Sequence, residues 1–156
     1  MKYKKISYVA VFGVLWGLSE LVLGTWLHIL GIPFKGSMLA AIGIAIILIG
    51  YKYIPSEKKL VLIEMGMICA AVKFFSAGMV PKPNIYLSII AEASLVQIGI
   101  SLAGYRLSGY MLAAAMAMMW PPFSRIIVGG LILGGDYLDL LGKYSMDVHF
   151  LLVIGI

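Results

Sequence analysis

A long apolar run over residues 6–30 constrains the fold of this chain more than any other feature. It is longer than the roughly 20 residues that a helix needs to cross the hydrocarbon core of a bilayer. The run holds an ionisable carboxylate, Glu20, near its middle. An ionised carboxylate in hydrocarbon costs a few kcal/mol, so such a residue is usually paired and often functional. The run therefore predicts a transmembrane helix that carries a buried charge.

The rest of the chain continues this apolar character. Hydrophobic residues make up 62% of the 156 residues and charged residues 12%, whereas soluble domains have roughly 45–50% and 25%. A soluble domain of this length could not bury so much apolar surface. We therefore predict an all-α, polytopic integral membrane protein of the plasma membrane. A single transmembrane domain is expected to occupy residues 1–156.

Five segments are apolar enough to form spans, at residues 6–30, 37–54, 60–80, 85–105 and 107–134. The fifth is interrupted at Pro121-Pro122, because proline lacks the backbone N–H that continues a helix. A sixth span over 137–156 would join an amphipathic stretch to an apolar tail that is too short to cross alone. The first segment is too long for a signal-peptide core and ends without a small-residue cleavage site, so we expect it to be retained. The pattern predicts a bundle of five to six transmembrane helices.

Basic residues predict the orientation, because they are enriched on the cytoplasmic side of membrane proteins. With the N-terminus in the cytoplasm, only Lys35, Lys82 and Lys143 fall outside. The residues that fall inside are Lys2, Lys4, Lys5, Lys52, Lys58, Lys59 and Arg106. We therefore predict a cytoplasmic N-terminus. These lysines lie at segment ends and indicate topology, so the positive net charge of +5 does not predict nucleic-acid binding.

In that orientation, ionisable side chains from four different spans fall in the outer half of the bilayer, at a rise of 1.5 Å per residue. They are Glu20, Lys73, Glu92 and Arg125. His28 lies near the outer end of the first span, and Trp120 directly precedes the proline break. The four charged residues are the ones we expect to bind a solute, with His28 and Trp120 as second choices, although tryptophans such as Trp16 and Trp120 more often anchor a helix at the interface. The clustering predicts an outward-open pocket for a small-molecule solute, in which cations hold an anionic group and carboxylates a cationic or hydrogen-bonding one.

Two other interpretations fit the same charges. Glu20 and Glu92 could pair with Lys73 and Arg125 only to fix helix packing, which would suit a structural subunit of a larger membrane complex. The same residues could instead relay ions or protons. Enzymatic activity is not expected, because the sequence has no His-Glu-x-x-His pair, Gly-x-Ser-x-Gly elbow or nucleotide motif. No metal site and no cofactor are expected either.

The first span also carries Gly13 and Gly17, a small-xxx-small pair that allows close helix approach. In its size, near-total hydrophobicity, five to six predicted spans and this small-residue face, the chain resembles substrate-binding (S) components of energy-coupling-factor (ECF) transporters. The residues 15–20 (Leu-Trp-Gly-Leu-Ser-Glu), followed by His28, Pro33 and Gly36, add to the resemblance. The resemblance implies a six-helix subunit that captures a vitamin or similar micronutrient from outside. It further implies docking through Gly13 and Gly17 onto a transmembrane coupling protein that carries two cytoplasmic ATPase subunits. Lys2 stands where the nickel and cobalt branch of that family has His, which argues against those metals.

Overall fold

The structure, a computed structural model, describes residues 2–31, 35–54, 60–76 and 83–127. Every regular element in these ranges is an α-helix. The helices are α1 (Lys2–Ile29), α2 (Lys35–Tyr53), α3 (Val61–Ser76), α4 (Pro83–Ala103), α5 (Leu107–Met118) and α6 (Trp120–Ile127). Three of them, α1, α2 and α4, are long and apolar enough to cross a membrane. The all-helical fold is thereby confirmed, whereas the number of spans and the orientation stay predictions. The predicted sixth span lies within residues 128–156, outside the described ranges.

Two glycines in the left-handed region end the first and fourth helices. Gly31 follows α1 at φ 62° and Gly104 follows α4 at φ 76°, a conformation that costs glycine little and other residues more. The N–H of Gly104 donates to the carbonyl of Ile100 at 2.8 Å. Bonds of this kind satisfy carbonyls of the last helical turn that have no partner further along the helix. A long apolar helix can therefore stop without leaving these backbone groups unpaired.

The fifth predicted span is divided into two consecutive helices, α5 and α6. The division lies directly before Pro121-Pro122, which cannot donate backbone hydrogen bonds to the preceding turn. Met119, between the two helices, keeps helical dihedral angles and donates its N–H to the carbonyl of Ala115 at 3.2 Å. Within α6, the hydroxyl of Ser124 donates to the carbonyl of Pro121 at 3.0 Å. The predicted interruption is therefore present, and the chain resumes a helix after it.

Helix α1 packs against both α2 and α3, α3 packs on α4, and α4 packs on α5. The contact between α1 and α3 is close. A Cβ added at Gly13 would lie 2.8 Å from the Cβ of Ile68, and one added at Gly17 would lie 2.8 Å from the Cβ of Val72. The small-xxx-small pair thus admits a second helix, but that helix belongs to the same chain. The resemblance implies a docking surface for a partner at Gly13 and Gly17. In this structure α3 covers that surface, because glycine has no side chain to keep α3 away.

Glycines also make room for two aromatic side chains of α1. Trp16 is fully buried, and its indole ring lies directly against Gly43 of α2. Phe12, one turn earlier on α1, packs in the same way against Gly50 of α2. The Cβ position of Gly66, on α3, is 3.6 Å from the edge of the Trp16 ring. Trp16 therefore belongs to the core between helices and is not an anchor at the interface.

The outer surface of the bundle is strongly apolar. Large side chains such as Val22, Leu87 and Phe75 are more than half exposed. Soluble monomers rarely expose contiguous apolar surface on this scale, and such surface marks contact with a membrane or another protein. Together with the three long apolar helices, this surface indicates a protein that is solvated by lipid.

Candidate functional site

An ion pair joins α1 to α3 one turn beyond the glycine contact. The Nζ of Lys73 lies 2.5 Å from the Oε2 of Glu20, and the two side chains are 19% and 9% exposed. Gly17 makes this possible because it lets α1 approach Val72, the residue directly before Lys73. Each charge offsets the desolvation of the other, which would be costly for either one alone.

This pair forms part of the wall of a cavity of about 590 Å³. The cavity lies between α1, α2, α3, α4 and α6, at the end of the bundle where α1 and α3 end and α2 and α4 begin. We call this end of the bundle the distal end. The polar side chains that line the cavity are Glu20, Thr25, His28, Lys35, Lys73, Ser88, Glu92 and Ser124. A volume of this size lies within the range of small-molecule sites in proteins.

Glu92 is the second buried carboxylate in this wall. The residue is 6% exposed, and no side chain that the structure describes makes a hydrogen bond or ion pair with it. Glu20 and Lys73 are close enough to act on it electrostatically. Burying a carboxylate without a hydrogen-bond partner is costly. Glu92 is therefore the group in the cavity that stands to gain most from a bound cation or hydrogen-bond donor.

A second polar contact lies at the solvent-exposed opening of the cavity. The Nζ of Lys35 is 2.7 Å from the Nδ1 of His28. A lysine ammonium can only donate, so Nδ1 accepts in this contact and Nε2 is the nitrogen of the ring that can donate. His28 lies eight residues after Glu20 on α1, and the helical rise separates the two contacts by about 12 Å. The cavity thus has a charged floor and a separate basic opening.

Helix α6 completes the wall through Pro121 and Ser124. Its first residue, Trp120, donates from Nε1 to the hydroxyl of Ser88 at 2.9 Å. Ser88 lines the cavity one helical turn before Glu92 on α4. Trp120 does not line the cavity itself, but its hydrogen bond ties α6 to α4 and so holds the wall in place.

We expect the change Trp120→Phe to lower the free energy of unfolding by about 1 kcal/mol, because the ring is largely kept while the hydrogen bond to Ser88 is lost. Equilibrium unfolding in mixed micelles of detergent and dodecyl sulfate, followed by far-UV circular dichroism, measures this difference. Trp26→Phe is the control, since Trp26 is exposed on α1 and its replacement should change stability by less than about 0.5 kcal/mol. Equal effects at the two positions would count against the tie between α6 and α4.

The structure gathers Glu20, His28, Lys73 and Glu92 around one cavity, as the depth of these residues in their spans predicted. Their role in binding a solute stays a prediction. Trp120 supports the wall from behind Ser88. Arg125 lies within α6, but its side chain falls outside what the structure describes.

Three further residues line the cavity that the sequence pattern did not predict there: Lys35, Ser88 and Ser124. Lys35 lies at a segment end, where a basic residue is typical of topology and does not by itself indicate a site. Ser88 lies four residues before Glu92, and residues at this spacing share one face of a helix. That spacing is the signal that could have identified Ser88, whereas Ser124 depends on how α6 packs after the proline break.

Among the described residues, no group of three or more His, Cys, Asp and Glu side chains is placed to hold a metal ion. No protein-family model, curated protein or solved structure matches this chain. The cavity and its side chains are therefore the basis on which a function can be assigned.

Proposed function

We propose that this chain is a membrane-embedded solute-binding subunit that holds a small polar solute in the cavity at its distal end. The observation that carries the proposal is the convergence of ionisable side chains from α1, α2, α3 and α4 on one cavity in an otherwise apolar bundle. Charged residues are rare within apolar spans because they are expensive there, and they usually mark a substrate or ion pathway. A cavity that fits a small molecule supplies the space which such a pathway needs.

The proposal includes the orientation of the bundle. With five or six spans and a cytoplasmic N-terminus, the distal end faces the outside of the cell, and the solute enters from there. The excess of lysine and arginine at the opposite end supports this orientation. The Lys5–Glu64 contact, at 3.4 Å, lies at that opposite end near the starts of α1 and α3.

The cavity favours solute binding over a purely structural role for the charges. An ion pair that only fixed helix packing would need the contact between Lys73 and Glu20, which is present. It would not need the adjacent open volume. It would also not need Glu92, a second buried carboxylate that makes no hydrogen bond or ion pair with a described side chain. Glu92 lines the open volume, so a ligand in the cavity could supply the partner that buried polar groups in proteins nearly always have.

We further propose that a separate transmembrane coupling protein with cytoplasmic ATPase subunits energises the solute-binding subunit, as in ECF transporters. The chain itself carries no nucleotide-binding motif. Since α3 covers Gly13 and Gly17, docking would use another face of the bundle. Co-purification in mild detergent, followed by mass spectrometry of the associated subunits, tests this step. A partner without an ATPase would favour a structural role.

A capture experiment tests solute binding, with Gly24 as the position to change. A Cβ added at Gly24, in the cavity wall, would lie at an ordinary 3.5 Å from the Cδ1 of Leu39. We expect Gly24→Ala to fold and bind normally and Gly24→Trp to fill the cavity. Protein in lipid nanodiscs is incubated with a small-molecule extract and re-isolated, and the bound solute is identified by mass spectrometry.

We expect the wild type and the Gly24→Ala variant to retain the same solute. The Gly24→Trp variant should retain at least about tenfold less of it. Val22→Trp is the matched control, because Val22 is 55% exposed on the outer surface of α1. This substitution adds the same indole ring away from the cavity. Absence of any retained solute, or equal retention by the Gly24→Trp protein, would contradict the proposed function.

A further inference from the structure

We infer that the solute is dipolar and enters with a cationic group first, so that the cation meets Glu92 at the floor and an anionic group meets Lys35 at the opening. This inference rests on the proposed function and specifies the chemistry of the same cavity. Its starting point is that the two ends of the cavity carry different charges.

The floor favours a cation. Lys73 and Glu20 pair with each other across 2.5 Å, which leaves Glu92 as the carboxyl group of the floor that no described side chain pairs with. Glu92 is 6% exposed and has no hydrogen-bond or ion-pair partner among the side chains that the structure describes. A ligand ammonium within contact distance would supply both the missing charge and the missing donor. Among the side chains that the structure describes there, an anionic group at the same place would face two carboxylates and one lysine.

The opening favours an anion. Lys35 carries an ammonium group, and His28 accepts from it through Nδ1 at 2.7 Å, which leaves Nε2 of the ring as a donor. Lys35 and the Nε2 of His28 can therefore both donate to a carboxylate or phosphate. Lys35 is also the first residue of α2, where the positive end of the helix dipole adds to the attraction.

The separation of the two ends sets the length of the solute. Glu20, in the floor, and His28, at the opening, are eight residues apart on α1, which corresponds to about 12 Å of helical rise. A compact zwitterion such as glycine would reach only one end. A solute with its opposite charges at the two ends of an extended chain can reach both, and the apolar side chains of Leu39, Ile85 and Ile89 line the cavity beside it.

Three matched probes test the inference: 8-aminooctanoate, its N-acetyl derivative, which lacks the cation, and 8-aminooctanamide, which lacks the anion. Binding to the full chain in nanodiscs of phosphatidylglycerol is measured by saturation-transfer NMR. We expect 8-aminooctanoate to bind at least about tenfold more tightly than either derivative, since each derivative removes one charged contact. Glu92→Gln should remove the preference over the acetyl derivative. Lys35→Gln should remove the preference over the amide and leave the preference over the acetyl derivative intact.

Equal binding of the three probes, no binding of any of them, or a preference that survives Glu92→Gln would overturn the inference. Nanodiscs that contain phosphatidylethanolamine form a further arm, because its headgroup carries the same two charges. Loss of probe binding in those discs alone would assign the site to a lipid headgroup and overturn the assignment to a solute. If the capture experiment identifies a retained solute that lacks a cationic group, the dipolar assignment fails while the proposed function stands.

Discussion

Replacement of Lys73 by methionine is expected to lower the free energy of unfolding by about 3 kcal/mol, because Glu20 then remains buried with its charge uncompensated. Methionine keeps the length and apolar stem of the lysine side chain, so the change isolates the charge. The two side chains are 19% and 9% exposed and 2.5 Å apart. Equilibrium unfolding in mixed micelles of detergent and dodecyl sulfate, followed by tryptophan fluorescence, measures the difference.

The Lys5–Glu64 pair supplies the matched control for this experiment. It joins the same two helices, α1 and α3, but at 3.4 Å and with side chains that are 24% and 44% exposed. Solvated pairs of this kind contribute about 0–1 kcal/mol, so Lys5→Met should cost much less than Lys73→Met. The double change of Lys73→Met with Glu20→Gln should recover part of the loss, because no uncompensated charge then remains. Equal losses at Lys5 and Lys73 would show that burial of the Glu20 pair does not determine the effect.

The residues around the cavity could be predicted because hydrocarbon makes charge expensive. Glu20, Lys73 and Glu92 each stand out in an apolar segment, and counting residues along each predicted span places all three at a similar depth. The helices themselves follow from long apolar runs that glycine or proline ends, as Gly31 does after α1. Depth and helix length are one-dimensional quantities, and a sequence records them directly.

Which helix surfaces meet is a three-dimensional property, and the residue pattern of a single helix predicts it less well. The pair Gly13 and Gly17 indicates that a helix comes close but does not say which helix, and the structure places α3 of the same chain there. Trp16 has the amphipathic ring of an interface anchor, yet it fills the space that Gly43 leaves open on α2. Lys35 joins the cavity only because α2 begins beside the end of α1. Each of these contacts depends on pairing between helices, which residue spacing within one helix does not fix.

The packing at Gly13 and Gly17 leads to a second large effect. We expect Gly13→Ala and Gly17→Ala each to lower the free energy of unfolding of the isolated chain by about 2 kcal/mol, since inserting a methyl group into a tightly packed contact forces the helices apart. At Gly13 the added Cβ would also lie 2.9 Å from the backbone carbonyl oxygen of Met65, which a rotamer change cannot relieve. The same unfolding measurement in mixed micelles applies.

Gly24→Ala is the control for these substitutions, because it should change the free energy of unfolding in the opposite direction. Gly24 lies further along α1, where an added Cβ would be an ordinary 3.5 Å from Leu39, so only the higher helix propensity of alanine should act there. That propensity favours alanine over glycine by about 1 kcal/mol within a helix, and Gly24→Ala should therefore stabilise the chain slightly. If Gly13 and Gly17 instead formed a free docking face, their alanine variants would be stabilised in the same way and only assembly with a coupling protein would suffer. Opposite signs at Gly17 and Gly24 in the isolated chain would establish that α3 occupies the glycine face.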